Sequence, residues 1–277
     1  MKVSFSKGEK IFLSLFLIAY VMVAIWNFKK IEFPSGIGRV WQVNVPLPSI
    51  LGTLNPVTII MTIVVMSFLI YIAVSFKKHL TKIPSKKQAA IEMMLSFVYE
   101  LVEDVIPVKE FVKPTFYVSM TLFLFILFSN ILGGIPGVSV GVESHHLVLN
   151  LFTDTWPSPT GDLNTNVTYA VMVLFISHIF AIKLKGFKTW MKGFFEPNPI
   201  MFPMNIIGEL AKPVSHSLRL FGNIAGGGIM VLMLSYLAKY TVVPMVLWGF
   251  FGFFVGTIQA FVFSMLAIAY ISVQLEQ

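Results

Sequence analysis

The 277-residue sequence is 56% hydrophobic and only 12% charged, against roughly a quarter charged in soluble domains, and its formal net charge is +7. The composition excludes an ordinary soluble enzyme. The basic excess does not indicate nucleic acid either, because the lysines cluster in short stretches between long apolar runs, the pattern that orients a protein in a bilayer. The absence of cysteine excludes disulfides, thiolate metal sites and cysteine nucleophiles.

Only helices and closed barrels satisfy backbone groups in lipid, and the apolar runs here are far longer than the strands of a barrel, roughly ten residues each. The expected fold class is therefore an all-α polytopic membrane protein. Residues 11–28 form the first apolar run, flanked by Lys2, Lys7, Lys10, Lys29 and Lys30. It reads as a retained anchor rather than a signal peptide, since no small-x-small cleavage site follows closely. Residues 31–53, rich in Pro and Gly, read as an outer loop. The expected division is thus 1–53, anchor and loop, and 54–277, a single membrane domain.

Residues 56–76 are long enough to span, and Lys77, Lys78, Lys82, Lys86 and Lys87 place their end inside. Residues 85–106 repeat apolar positions at helical spacing, with Glu92, Glu100, Glu103 and Asp104 on other faces. They predict an amphipathic helix on the inner surface, with the acids as a solvated face. Residues 115–133 cross back outward. The segment 134–165 is read as a loop of turn formers. Its adjacent His145 and His146 are not expected to hold a metal, because neighbouring side chains diverge and no further ligand spacing supports a site. Asn164, Asn166 and Thr168 mark a helix start, and residues 167–182 cross inward, carrying His178 and ending in Lys183, Lys185, Lys188 and Lys192. A proline-rich inner loop at 193–204 precedes two long apolar stretches, 205–238 and 242–273, separated by Lys239, Tyr240 and Pro244. Each exceeds a perpendicular span, so tilt is expected. The total is about six hydrophobic helices with both termini cytoplasmic.

Arg219 stands out. The sequence has two arginines, and this one lies in an apolar stretch. A mid-bilayer arginine costs about 3 kcal/mol on insertion scales, and unlike lysine it cannot shed its proton. On a helical wheel it shares a face with Ser215, His216, Gly222, Asn223 and Gly226, which would let another helix approach closely. Glu209 lies ten residues earlier, roughly 15 Å along the axis. The counter-charge is therefore expected on another subunit. In the last helix Gln259 is the strongly polar residue, with Gly249, Gly252 and Gly256 forming a small face.

The stretch Leu210-Ala-Lys-Pro-Val-Ser-His-Ser-Leu-Arg-Leu-Phe-Gly-Asn223 resembles the signature of subunit a, the stator channel subunit of F-type ATP synthases. Asn130-x-x-Gly-x-Ile-Pro-Gly137, Pro159-Thr-Gly-Asp-Leu-Asn164 and Gln259-Ala-Phe-Val-Phe263 agree with it in order. The resemblance implies a non-catalytic subunit without cofactor or metal, in a bacterial plasma membrane. It faces a rotor ring of c subunits and works beside the peripheral stalk subunit b and the soluble F1 sector. It implies two offset half-channels separated by Arg219, with Asn223 and Gln259 flanking it. Asp162 and Asn164 would stand at the outer mouth. His178, Glu209, Ser215 and His216 are further lining candidates. Gly228 and Gly252 occupy positions where many members carry an acid and a histidine, and His216 stands where leucine is usual. The outer route would then be a water-filled cavity, and the coupling ion, proton or sodium, stays open. An alternative is a secondary transporter that binds an anionic substrate at Arg219.

Overall fold

The computed structural model describes residues 43–44, 53–143, 146–196, 198–238, 246–247 and 249–276, together with Ser14, Ile18 and Met22. Apart from those three residues, the expected anchor at 11–28 lies outside the described residues, as do most of the loop at 31–53, His145 and the connection at 239–245. Two short strands, β1 (Val43–Asn44) and β2 (Thr53–Leu54), pair antiparallel ahead of the first described span.

Helix α1 (Pro56–Lys78) starts where the sequence supplies a start signal. Asn55 caps it by accepting from Val57 N at 3.1 Å, and Pro56, whose missing N–H would be unpaired there anyway, takes the first position. Helix α2 (Lys86–Val105) is capped by Ser85, which accepts from Gln88 N at 3.3 Å. Its buried Val98 and Val102 face the bundle, while Glu100, Glu103 and Asp104 are exposed, as an amphipathic helix requires. Helix α3 (Lys109–Gly133) begins six residues before the predicted span at 115. Pro114 is close enough to the start to remove a single intrahelical bond.

The segment expected as a loop contains a β-hairpin instead, β3 (Pro136–Glu143) and β4 (His146–Thr155). Glu143 pairs with His146 and Val138 with Leu151, and Trp156 N donates to Ile135 O at 3.1 Å to close its base. The alternation Val138-Ser-Val-Gly-Val-Glu143 is a period-two signal that the glycines and polar residues masked.

Helix α4 (Leu163–Lys185) is capped by Asp162 and ends at Gly186, whose φ of +82° suits glycine alone. A short helix α5 (Phe187–Gly193) follows, where the sequence shows only a run of lysines after the span. Helix α6 (Phe202–Ala238) runs 37 residues. At 1.5 Å per residue it is roughly 55 Å long, well beyond a hydrocarbon core of roughly 30 Å, so a steep tilt or a protruding end is built in. A six-residue π-helical segment, Phe250–Val255, leads into α7 (Gly256–Glu276).

Among the described residues, four stretches are long and apolar enough to cross a membrane, Pro56–Lys78, Lys109–Gly133, Leu163–Lys185 and Phe250–Glu276. With the 37-residue α6 they make a multi-pass helical membrane protein. Helix α7 is the axis of the bundle. Its Ala260, Phe263 and Ala267 pack with Phe125 and Ile126 of α3, Val173 of α4 and Leu220 of α6. Nearer its C-terminus, Ile268, Ile271 and Leu275 pack with Val102 and Ile106 at the end of α2 and with Phe111 and Val112 of α3. Helix α1 covers the outside, leaving Ile59, Ile63, Met66 and Ile70 exposed as a lipid-facing surface.

These contacts fix which helix ends lie together. Lys183 at the end of α4 reaches Glu110 at the start of α3 at 3.7 Å, and Ser272 Oγ donates to Val105 O at 2.8 Å. At the other end Thr58 Oγ1 donates to Asp162 Oδ2 at 3.2 Å. The lysine-rich ends of α1 and α4 therefore share one side of the bundle with the start of α6 and the end of α7.

Candidate functional site

Arg219 lies near the middle of α6 on its exposed side. It makes no hydrogen bond or ion pair among the described residues. Ser215, Gly222, Asn223 and Gly226 are exposed beside it. A Cβ added at Gly222, Gly226 or Gly228 would meet nothing within 4 Å, whereas at Gly227 it would meet the Phe251 ring. Among the described residues, no second helix packs on the small face around the guanidinium. It is an open surface, flanked by the exposed apolar side chains of Leu210, Val214 and Leu218. A permanent charge on such a surface, at membrane depth, calls for an anion, and none of the described residues supplies one.

Beside that open face, α6 is tied to α7 by polar rungs. Asn223 Nδ2 donates to Gln259 Oε1 at 2.5 Å, so the two residues expected to flank Arg219 do meet. Gln259 is 4% exposed, and its Nε2 finds no partner among the described residues. One rung nearer the start of α6, His216 Nε2 lies 3.1 Å from Phe263 O. The ring is 1% exposed and packs on Phe263, with Tyr270 edge-on. His216 is therefore inside the helix contact and not on the open face with Arg219. Lys212 Nζ stands 6.0 Å from the Tyr270 ring and continues the series.

Toward the lysine-rich side, a cluster joins α4, α5 and α6. Glu209 accepts from Lys212 Nζ at 2.5 Å, and His178 Nε2 approaches its other carboxylate oxygen at 3.6 Å. Trp190 Nε1 donates to His178 Nδ1 at 3.4 Å, which leaves the ring hydrogen on the nitrogen that faces Glu209. Nearby, Lys185 Nζ donates to Gln274 O of α7 at 3.2 Å. His178 and Glu209 were expected from the sequence, and the structure brings them together. Lys212, Trp190 and Gln274 were not singled out, although a lysine three residues from a glutamate in one helix is a readable pair.

At the opposite end the polar network is denser. Asn130 Nδ2 donates to Gly256 O at 2.9 Å, Thr160 Oγ1 to Asn130 Oδ1 at 2.7 Å, and Asn166 Nδ2 to Thr160 O at 2.8 Å. These bonds hold α3, α4 and α7 together just where the π-helical segment ends. Asp162 caps α4 through Asn164 N at 3.0 Å while bonding Thr58, and the Asn164 side chain is exposed. Gly228 is open, but Gly252 is not: a Cβ there would stand 2.2 Å from Gly134 Cα. The expected cavity wall at 252 is a backbone-to-backbone contact, made possible because both residues are glycine. Among the described residues no group of three His, Asp or Glu gathers to hold a metal ion.

The family model for the ATP synthase A chain matches residues 56–272. The chain is 34% identical over 235 residues to ATP synthase subunit a of Bacillus velezensis, covering 79% of this chain and 92% of that protein. It is 38% identical over 215 residues to the sodium ion specific ATP synthase subunit a of Propionigenium modestum, covering 78% and 72%. Against ATP synthase subunit a of Acidothermus cellulolyticus identity is 39% over 191 residues, covering 68% and 65%.

Proposed function

The chain belongs to the ATP synthase A chain family, and from that premise we propose that it is the ion-translocating stator subunit of a rotary ATP synthase. Arg219 carries the reading: a permanent cation on an open small-residue face of a membrane helix, with no anion beside it among the described residues. A ring of c subunits, each with a carboxylate at mid-membrane, supplies that anion repeatedly. As each site passes, Arg219 favours its ionised form, since an opposite charge within about 4–6 Å lowers a carboxylate pKa by one to three units. An ion is thereby released on one side of Arg219 and cannot leak straight to the other. The gradient contributes about 2.3 kcal/mol per charge per 100 mV. The chain performs no bond chemistry; ATP is made in the soluble F1 sector, held in register by the peripheral stalk subunit b.

In this reading two half-channels reach the ring from opposite sides. The Glu209–His178–Lys212 cluster borders the cytoplasmic one, on the side where the lysines lie and where both termini are placed, in a bacterial plasma membrane. Asp162, Asn164 and the open space at Gly228 border the outer one, and Ser215 stands on the path beside Arg219. Gly252 leaves the outer route without a titratable group at that position. The sodium-specific relative makes sodium a coupling ion to be tested alongside the proton.

Gentle solubilisation of membranes should recover the chain together with a multicopy apolar hairpin protein and the ATPase subunits. ATP-driven pumping by that complex in vesicles, assayed with and without sodium and with a protonophore, identifies the ion. Pumping that persists with protonophore and requires sodium assigns sodium. Recovery of the chain alone, with saturable anion uptake, would overturn the reading.

A further inference from the structure

The segment of α6 that carries Arg219 is bounded by two weak points. Pro213 lies inside the helix and cannot donate to the carbonyl four residues back. Gly222 follows Arg219 by three residues, and Gly226, Gly227 and Gly228 come soon after, each costing backbone entropy in a helix. The stretch 214–221 can therefore turn or slide more easily than a regular helix. Its outer face is open, and its inner face is apolar apart from Ser217 and His216. Ser217 Oγ is spent on Val214 O of its own helix at 3.1 Å. Asn223, which bonds Gln259, lies beyond Gly222, and Lys212 lies before Pro213. Among the described residues, the polar tie between this stretch and another helix is His216 to Phe263 O, 3.1 Å.

A carbonyl oxygen only accepts, so His216 Nε2 donates and Nδ1 is left as a bare acceptor. That atom is buried and has no partner among the described residues. Burying such an atom is a cost that leucine at this position would not incur. A residue retained against that cost, with its other nitrogen bonded across the helix contact, is doing something that bulk alone would not.

We propose that His216 is a positioning residue for Arg219. By pinning α6 to α7 through Phe263 O, it sets the rotation of the 214–221 stretch and holds the guanidinium on the open face. It acts through Arg219 and touches no ion itself. This inference rests on the stator reading above.

The test uses the assembled complex in vesicles and reads the ratio of ions pumped to ATP hydrolysed, at matched recovery of the complex. His216→Leu keeps bulk and removes the donor; His216→Gln keeps a donor where Nε2 was. The expected result is a fall of about fivefold for His216→Leu, the worth of one buried hydrogen bond, and near-normal coupling for His216→Gln. Unchanged coupling in His216→Leu overturns the inference, and so does an equal loss in His216→Gln, which would mean that shape and not the donor matters. If His216→Leu does not assemble, His216→Asn, whose donor falls short of Phe263 O, decides in its place: normal coupling there overturns the inference. Arg219→Ala run in parallel separates the two ideas, because normal pumping in Arg219→Ala overturns the stator reading itself.

Discussion

Asn223 of α6 donates to Gln259 of α7 at 2.5 Å, one turn beyond Arg219 and at the edge of the open face that carries it. Gln259 is 4% exposed and its Nε2 is already unsatisfied among the described residues. Asn223→Ala leaves both ends of that side-chain amide without a partner. It should lower stability by about 1–3 kcal/mol, the cost of stranding a buried polar group. The double variant Asn223→Ala/Gln259→Leu should recover most of the loss. Thermal unfolding of the purified complex measures both, and a double variant that is simply the sum of the two single losses would contradict the pairing.

Alanine at two glycines should have effects of opposite sign. A Cβ at Gly252 meets Gly134 Cα at 2.2 Å, with backbone on both sides and nowhere to move. Gly252→Ala should destabilise by about 1–3 kcal/mol as α3 and α7 are forced apart. A Cβ at Gly228 meets nothing, so Gly228→Ala should stabilise the helix by about 0.5–1 kcal/mol. Comparing the melting temperatures of the two variants settles the placement, and equal shifts would refute it.

Glu209 holds Lys212 and faces His178, with side chains 14%, 22% and 16% exposed. Glu209→Gln leaves two cationic or donor groups facing no charge. The loss should be about 2–3 kcal/mol, below the 3–5 kcal/mol of a fully buried pair because water still reaches these groups. Lys212→Met should offset part of it in the double variant. Chemical denaturation of the complex at low and at high salt checks this. A loss that vanishes at high salt would mean that the pair is merely a surface contact.

Much of this arrangement could be read before any coordinates. Long apolar runs and the lysines that end them located the spans, because bilayer thickness fixes helix length and the inner loops carry the charge. Arg219 without an acid in reach pointed outward to another chain, and it does lie exposed. The rest needed packing. His216 shares the wheel face of Arg219 in a projection, yet three residues are about 60° short of a full turn, enough to send one side chain into α7 and the other away from it. Gly252 reads as a missing side chain until Gly134, 118 residues away, is seen against it. The hairpin at 136–155 hid its alternation among glycines and polar residues, where turn signals outweigh a period of two.

The most direct measurement is ATP-driven ion pumping by the reconstituted complex carrying Arg219→Ala, with Arg219→Lys beside it. Lysine keeps a charge but can lose it and lacks the planar fork. The account expects both variants to assemble and bind the ring, with pumping abolished in the first and largely lost in the second. Normal pumping by a fully assembled Arg219→Ala complex would contradict it.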